Sequence, residues 1–349
     1  MRTWIDRLRR SRAGVTALAL LVGLLLAELV ARLAFAAPGA RPRYVGEILR
    51  SDTAPDQPRR LAPGNAMLMS FVGPDGVERS VEHRVGPHGW RGPVFERRPA
   101  DGVWRIGCVG DSNVFGWGVA EDQTWPALLA RELSRAGRSV ELLNLGIPNL
   151  DAEEKLEVVQ QEAFEFGCEL VLFALHFDDF FDEQGVRPNL GGNARALAWT
   201  RPGATPWLDN LRALSRCVDL AVERYRQRLL TRANLARRER MLAPESLQRR
   251  SIERALAELA RSSRERGVAV LGLVIPMPVR EGEGFASARI DAELSRMLAQ
   301  AGLEEVALTA ELAQSPGELQ VHPLDLHLNA QAHATIARVV APRVAALRR

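Results

Sequence analysis

Residues 109–118 read Val109-Gly110-Asp111-Ser112-Asn113-Val114-Phe115-Gly116-Trp117-Gly118. An apolar run at 105–109 leads into them, and a helical pattern opening near Pro126 and closing near Gly137 follows. The same rhythm recurs along the chain. Runs at 140–144, 170–175 and 268–275 have strand length, and 306–308 is a weaker fifth. Asp151 can cap a helix, with Glu154 three residues on as its capping-box partner and Gly167 at its end. Asn329 can cap a last helix over 330–347. Strands alternating with helices predict a parallel sheet covered on both faces, an α/β fold of three layers. Reactive groups in such sheets collect on loops at the carboxyl ends of the strands. Ser112 stands at the first of these ends.

A serine in a glycine-containing turn is commonly a local hydrogen-bonder. As a nucleophile it needs a base, and the base needs an orienting acid. Asp325-Leu326-His327-Leu328-Asn329 stands just before the last helix. Asp325 and His327, two apart on an extended segment, can face the same way. Asp325 could then hold the imidazole in the tautomer that takes the Ser112 proton. Singly, Asp325 is explained as a turn residue and His327 as a polar residue leading into a helix. All three in this order and spacing are harder to explain that way.

These segments resemble the SGNH/GDSL hydrolases, in particular the bacterial membrane-anchored group. HRVGPHGWRGP (83–93) is similar to that group's lead-in, and WRIGCVGDSNVFGWGV (104–119) to its nucleophile block. VELLNLGIPN (140–149) and LVLFALHFDDF (170–180) resemble the second and third blocks. DLHLNAQAHATIA (325–337) resembles the last. The resemblance runs from about residue 84 to the C-terminus. It implies a three-layer α/β/α, flavodoxin-like fold and a Ser-His-Asp site for ester hydrolysis or acyl transfer. Ser112 is then the nucleophile, His327 the general base and later acid, and Asp325 its orienter. The oxyanion-hole positions are the backbone N–H of Ser112, Asn149 and Asp178.

Two of these positions depart from the family pattern. Asn149 stands where a glycine is usual. Its backbone N–H survives, and Asn tolerates left-handed dihedrals better than most residues. Asp178-Asp179 stands where Asn-Asp is usual. An ionised carboxylate only accepts hydrogen bonds, and losing one oxyanion donor costs about 2.7–4 kcal/mol of transition-state stabilisation. A protonated Asp178 would restore a donor, since an apolar pocket can hold a carboxylic acid neutral. Phe177, Phe180 and Phe181 could line such a pocket, while Asp179 and Asp182 complicate it.

The N-terminus speaks to location. Residues 1–13 form a basic tail with Arg2, Arg7, Arg9, Arg10 and Arg12. Residues 14–37 are apolar but for Glu28 and Arg32. As a helix, 24 residues rise about 36 Å, enough to cross a hydrocarbon core of about 30 Å. The basic tail would stay in the cytoplasm, placing the rest of the chain outside, in the periplasm. The rival is a secretory signal cleaved near Ala36, where Ala34-Phe35-Ala36 has the small-x-small form. Both readings export the chain. Residues 38–103 read as a Pro- and Arg-rich linker followed by a short β lead-in, with a turn at Pro74-Asp75-Gly76. Residues 104–349 form the hydrolase-like domain, interrupted at about 180–266 by a helical insertion. From Arg212 to Arg250 that insertion holds eleven arginines against four acids. A solvated helix face is the simpler reading; a patch for anionic lipid headgroups or an acidic polymer is the sharper one.

Composition narrows the function classes. Hydrophobic residues are 46% and charged residues 26%, the balance of a folded protein. A net charge of +3, with no Walker-type loop, zinc-like cysteine spacing or RNA motif, argues against nucleic acid. Cys108 and Cys168 read as buried small residues. His176 beside Asp178 and Asp179 invites a metal reading, but no second cluster completes a shell, so neither metal nor cofactor is expected. His83, His88, His322 and His333 read as loop or helix-surface residues. The expected function is an exported serine esterase acting on an O-acyl ester, with an acylated cell-envelope saccharide as a candidate substrate. The alternatives are an O-acyltransferase on the same residues, which needs an acyl-donor partner, and a non-catalytic saccharide-binding or assembly protein.

Overall fold

A computed structural model describes residues 12–34, 42–50, 59–72, 77–177, 179, 205–306, 308–322 and 325–347. The basic tail up to residue 11, the Ala34-Phe35-Ala36 motif beyond Ala34, the Pro74-Asp75-Gly76 turn, Asp178, and the insertion up to residue 204 lie outside them. The chain divides into two compact units, one of residues 1–41, 71–79 and 190–231, the other of the remainder.

The second unit is built on a five-stranded sheet: β1 (Trp104–Gly110), β2 (Val140–Gly146), β3 (Leu170–His176), β4 (Ala269–Ile275) and β5 (Glu304–Val306). All neighbours are parallel, and the order across the sheet is β5-β4-β3-β1-β2. This is the flavodoxin-like order. β1 and β3 are buried along their whole length, which is why they read as apolar runs, interrupted only by Arg105, which pairs with Glu141, and by His176 at the end of β3. Alternate side chains serve the two faces. Val109, Val171, Phe173 and Val274 pack with Ile252, Leu256 and Leu259 of α3 (Leu247–Arg266) and with Leu294 and Met297 of α4 (Ala288–Gln300). Ile106, Cys108, Leu172 and Leu273 pack on the other side with Trp125, Leu129 and Leu133 of α1 (Trp125–Arg135). Ile336 and Val340 of α5 (Ala330–Leu347) complete that face. The three layers expected from the sequence are therefore present.

The helix starts follow local chemistry. Thr124 caps α1, with Pro126 in its first turn. Asp151 and Glu154 form the reciprocal capping box of α2 (Ala152–Val158). Asn329 Oδ1 accepts from Ala332 N at 3.0 Å. Cys108 and Cys168 are buried, and burial pushes the Cys168 thiol up to about 12.

Three readings need correction. The fifth strand is Glu304–Val306, two residues earlier than expected. It is an edge strand paired only with β4, so its register follows backbone pairing and its two glutamates mask the pattern. The segment read as linker contributes a strand, Arg43–Gly46, antiparallel to Ala66–Val72. All four of its residues are exposed, so no apolar period marks it. His83, His322 and His333 are buried rather than on the surface. His83 Nε2 accepts from Gly118 N at 2.9 Å and His333 Nδ1 from Trp125 N at 3.1 Å. Burial holds both rings at about 3, well below the usual imidazole range.

In the first unit, an apolar helix spans Arg12–Ala34, and Gly14–Leu33 is long and apolar enough to cross a membrane. Helix Pro206–Leu214 and the first turns of helix Arg216–Met241 belong to the same unit.

Candidate active site

The chain leaves β1 for β2 on one side and returns to β3 on the other. The direction of winding thus reverses between β1 and β3, and in open α/β sheets ligands bind in the crevice beyond the strand ends at such a point. Ser112 lies there, opening a single helical turn, Ser112–Phe115. Asp111 caps that turn, its carboxylate accepting from Asn113 N at 2.8 Å. As the first helical residue, Ser112 has an N–H with no intrahelical acceptor.

The loop that follows is held tightly. Gly146 at the end of β2 passes so close that a Cβ there would stand 2.1 Å from Phe115 N. Arg91, from the lead-in, is fully buried. Its guanidinium donates to the carbonyls of Phe115 (3.1 Å), Gly116 (2.6 Å) and Val119 (2.8 Å) and lies over the Phe115 ring. Burial lowers Arg91 to about 10, although Glu121 and Asp122 oppose that shift. Arg91 falls within HRVGPHGWRGP (83–93), where nothing in the sequence alone gives it a task. A single arginine between Trp90 and Gly92 looks like a solvated loop residue, and only the fold reveals the carbonyls it gathers.

The second half of the site comes from the other end of the chain. Strand Asp325–Leu328 pairs antiparallel with Gln320–His322 just before α5. His327 Nε2 lies 2.9 Å from Ser112 Oγ, and His327 Nδ1 lies 2.5 Å from Asp325 Oδ1. With Nδ1–H donating to the carboxylate, Nε2 is left as an acceptor for the serine hydroxyl. The same Asp325 oxygen accepts from His327 N at 3.1 Å. Asp325 Oδ2 accepts from Tyr44 Oη at 3.0 Å. Burial alone would raise Asp325, but the charge of His327, its two hydrogen bonds and the Tyr44 hydroxyl outweigh it and bring the acid to about 2. Burial and the negative charge of Asp325 push Tyr44 up to about 12. Trp117 flanks the imidazole, its ring centroid 5.5 Å from that of His327.

Asn149 lies in the loop after β2 with φ +73°, the one non-glycine residue with positive φ in the described backbone. It thus takes the left-handed conformation suited to glycine. Arg59 Nη1 donates to its carbonyl at 3.1 Å and pairs with Glu154 at 2.8 Å. Asp178 is outside the described residues. Its neighbour Asp179 is buried and accepts from Lys155 Nζ at 2.5 Å and from His176 N at 2.9 Å. Asp179 therefore serves a structural ion pair. Among the described residues, no three His, Cys, Asp or Glu side chains gather as a metal site.

The chain matches no protein-family model and no curated protein. Among solved structures it is similar to TesA, at 18% identity and a TM-score of 0.42, over 70% of this chain and 99% of that one. It is also similar to a protein of the G-D-S-L family from Desulfitobacterium hafniense, at 10% identity and a TM-score of 0.38, over 68% of this chain and 98% of that one. A third is an acetylxylan esterase from Geobacillus stearothermophilus, at 9% identity and a TM-score of 0.42, over 69% and 94%.

Proposed function

We propose that the chain is an exported, membrane-anchored serine ester hydrolase of the SGNH/GDSL type. The observation that carries the reading is the hydrogen-bonded line Ser112 Oγ, His327 Nε2, His327 Nδ1, Asp325 Oδ1. It joins a strand-end serine to a base 215 residues away at 2.9 Å.

In this reading Ser112 Oγ attacks the ester carbonyl carbon while His327 Nε2 takes the hydroxyl proton. Asp325 fixes the tautomer and stabilises the imidazolium. The tetrahedral oxyanion is met by the N–H groups of Ser112 and Asn149, and by Asp178 if that acid is protonated. Collapse expels the alcohol, which receives the proton from His327, and leaves an acyl group on Ser112. Water then attacks the acyl-enzyme, gives its proton to His327, and releases the carboxylic acid and free serine. A sugar hydroxyl in place of water would make the same site an acyltransferase. The left-handed Asn149 favours a working site over a purely binding one, because it keeps the backbone suited to glycine at that position. The anchor would put the site on the periplasmic side of the cytoplasmic membrane, where an O-acyl ester of a cell-envelope saccharide is the proposed substrate.

The test is short-chain aryl-ester hydrolysis by the parent, Ser112→Ala and Asp178→Asn across pH. The expected result is turnover by the parent and a loss of about 10³-fold or more in Ser112→Ala. A protonated Asp178 predicts that parent activity falls as pH rises and that Asp178→Asn removes the fall. Turnover unchanged in Ser112→Ala would overturn the nucleophile. Activity appearing only in Asp178→Asn would favour the binding reading.

A further inference from the structure

Glu28 and Arg32 interrupt the apolar helix near its outer end. Glu28 lies 14 residues beyond Gly14, a rise of about 21 Å, and therefore inside a hydrocarbon layer of about 30 Å. A carboxylate at that depth persists only with partners. The first unit supplies them. Glu28 accepts from Arg32 Nε (2.7 Å), Ser215 Oγ (2.8 Å), Arg216 N (2.8 Å) and Cys217 N (3.1 Å). It thus caps helix Arg216–Met241 at its positive end. Arg32 Nη2 donates to Leu214 O at 2.7 Å, taking up a terminal carbonyl of helix Pro206–Leu214. The junction 214–217 is clamped to the last two turns of the apolar helix, so it shares their depth.

Helix Pro206–Leu214 carries its own apolar stripe. Trp207, Leu211 and Leu214 recur at i, i+4 and i+7 and are 65%, 44% and 72% exposed. Leu208 is buried, so the helix is seated on one side and bare on the other. The apolar helix is bare as well, with only 11% of its spanning window buried. Exposed Arg224 and Arg228 stand four apart on the next helix, a charge suited to anionic headgroups.

We propose that Pro206–Leu214 is an interfacial helix, lying along the outer surface of the bilayer with Trp207, Leu211 and Leu214 in the headgroup and upper acyl layer. The protein then holds the membrane by two elements, a spanning helix and a surface helix locked to it through Glu28 and Arg32. An apolar stripe with a terminal Trp and nearby arginines has the composition of such helices. The proposal rests on the reading of Gly14–Leu33 as an uncleaved anchor.

The test uses the full chain in vesicles of phosphatidylethanolamine and phosphatidylglycerol. In a Cys217→Ser background, one environment-sensitive fluorophore is placed at Leu211→Cys and, in a second protein, at Leu21→Cys; Cys108 and Cys168 are buried and out of reach. Far-UV circular dichroism checks that both labelled proteins fold. The expected result is that headgroup-labelled quenching lipid dims the Leu211 probe and mid-chain-labelled lipid dims the Leu21 probe. A Leu211 probe quenched by aqueous iodide but not by lipid, beside a deep Leu21 probe, overturns the surface helix and leaves the anchor. A Leu211 probe shielded from both means that protein covers the stripe, which also overturns it. A Leu21 probe untouched by mid-chain lipid overturns the anchor and the proposal with it.

Discussion

The ammonium of Lys155, the only lysine in the chain, donates to Asp179 at 2.5 Å with both side chains fully buried. Lys155 rides on α2, after the loop that holds Asn149, and Asp179 follows β3, next to Asp178. Lys155 also donates to Ala174 O at 3.0 Å, and Ala152 N donates to Asp179 O at 3.3 Å. The pair thus ties the loop that holds Asn149 to the chain just after β3, next in sequence to the two outer oxyanion positions proposed above. Removing one partner from a buried pair leaves an uncompensated charge and costs about 3–5 kcal/mol. Lys155→Met is expected to lose about that much in chemical denaturation and to lower kcat for an aryl ester more than it changes KM. Lys155→Met with Asp179→Asn recovers part of the stability, because no lone charge remains. A double variant no more stable than the single one would contradict this account.

Asn149 holds a conformation that disfavours most side chains. The left-handed region costs a residue with a Cβ roughly 1–2 kcal/mol, and Asn less than most. Asn149→Gly should keep kcat within about threefold and leave stability nearly unchanged, because the backbone stays in place. Asn149→Val puts a β-branched side chain there and should lower kcat at least about tenfold. Equal activity in the two variants would show that this backbone conformation does not matter to turnover.

Tyr44 reaches Asp325 from a strand whose residues are all exposed. Tyr44→Phe keeps the ring and removes one donor to the carboxylate. Water can replace that donor in part, so the expected loss in kcat/KM is about three- to tenfold, near 1 kcal/mol. KM should stay close to the parent value, since Tyr44 acts through Asp325. Steady-state kinetics with one ester series decides it, and an unchanged kcat/KM would remove Tyr44 from the site.

The parts of the fold legible in the sequence are those where burial leaves a pattern. β1 and β3 are buried end to end and read as apolar runs despite Arg105 and His176. Asp151 with Glu154 and the Asn329 cap were readable because a cap is a local chemical event. Ser112, Asp325 and His327 could be picked out by residue type and order, but their meeting depends on the strand order, which no local pattern encodes. What escaped reading lacked a period. Strand Arg43–Gly46 is joined through its backbone, Arg91 works through carbonyls 24 to 28 residues away, and His83 and His333 are single buried acceptors.

Asp291 on α4 makes a pH-dependent contribution to stability. Its carboxylate accepts from Ser287 Oγ at 2.8 Å, and that oxygen accepts from Met277 N at 2.9 Å. Burial raises Asp291 to about 7, against the Ser287 hydrogen bond and the charge of His176. The unfolded carboxyl ionises near the ordinary value of about 3.9. The folded value is the higher one, so the stability it contributes is fully present below about pH 4 and is lost as pH rises through about 7. At about 1.36 kcal/mol per unit, the change is at most about 4 kcal/mol. His83 and His333, both lowered to about 3, act in the opposite direction: their contribution is present above about 6.5 and lost as pH falls. The total slope therefore mixes both signs, and the variant-minus-parent difference is the useful quantity. Asp291→Asn keeps an acceptor for Ser287 and cannot ionise. In chemical denaturation of the detergent-solubilised chain, it should gain stability relative to the parent at about pH 8, with the gain shrinking as the pH approaches 4. A difference that does not change with pH would mean that Asp291 ionises alike in the folded and unfolded chains.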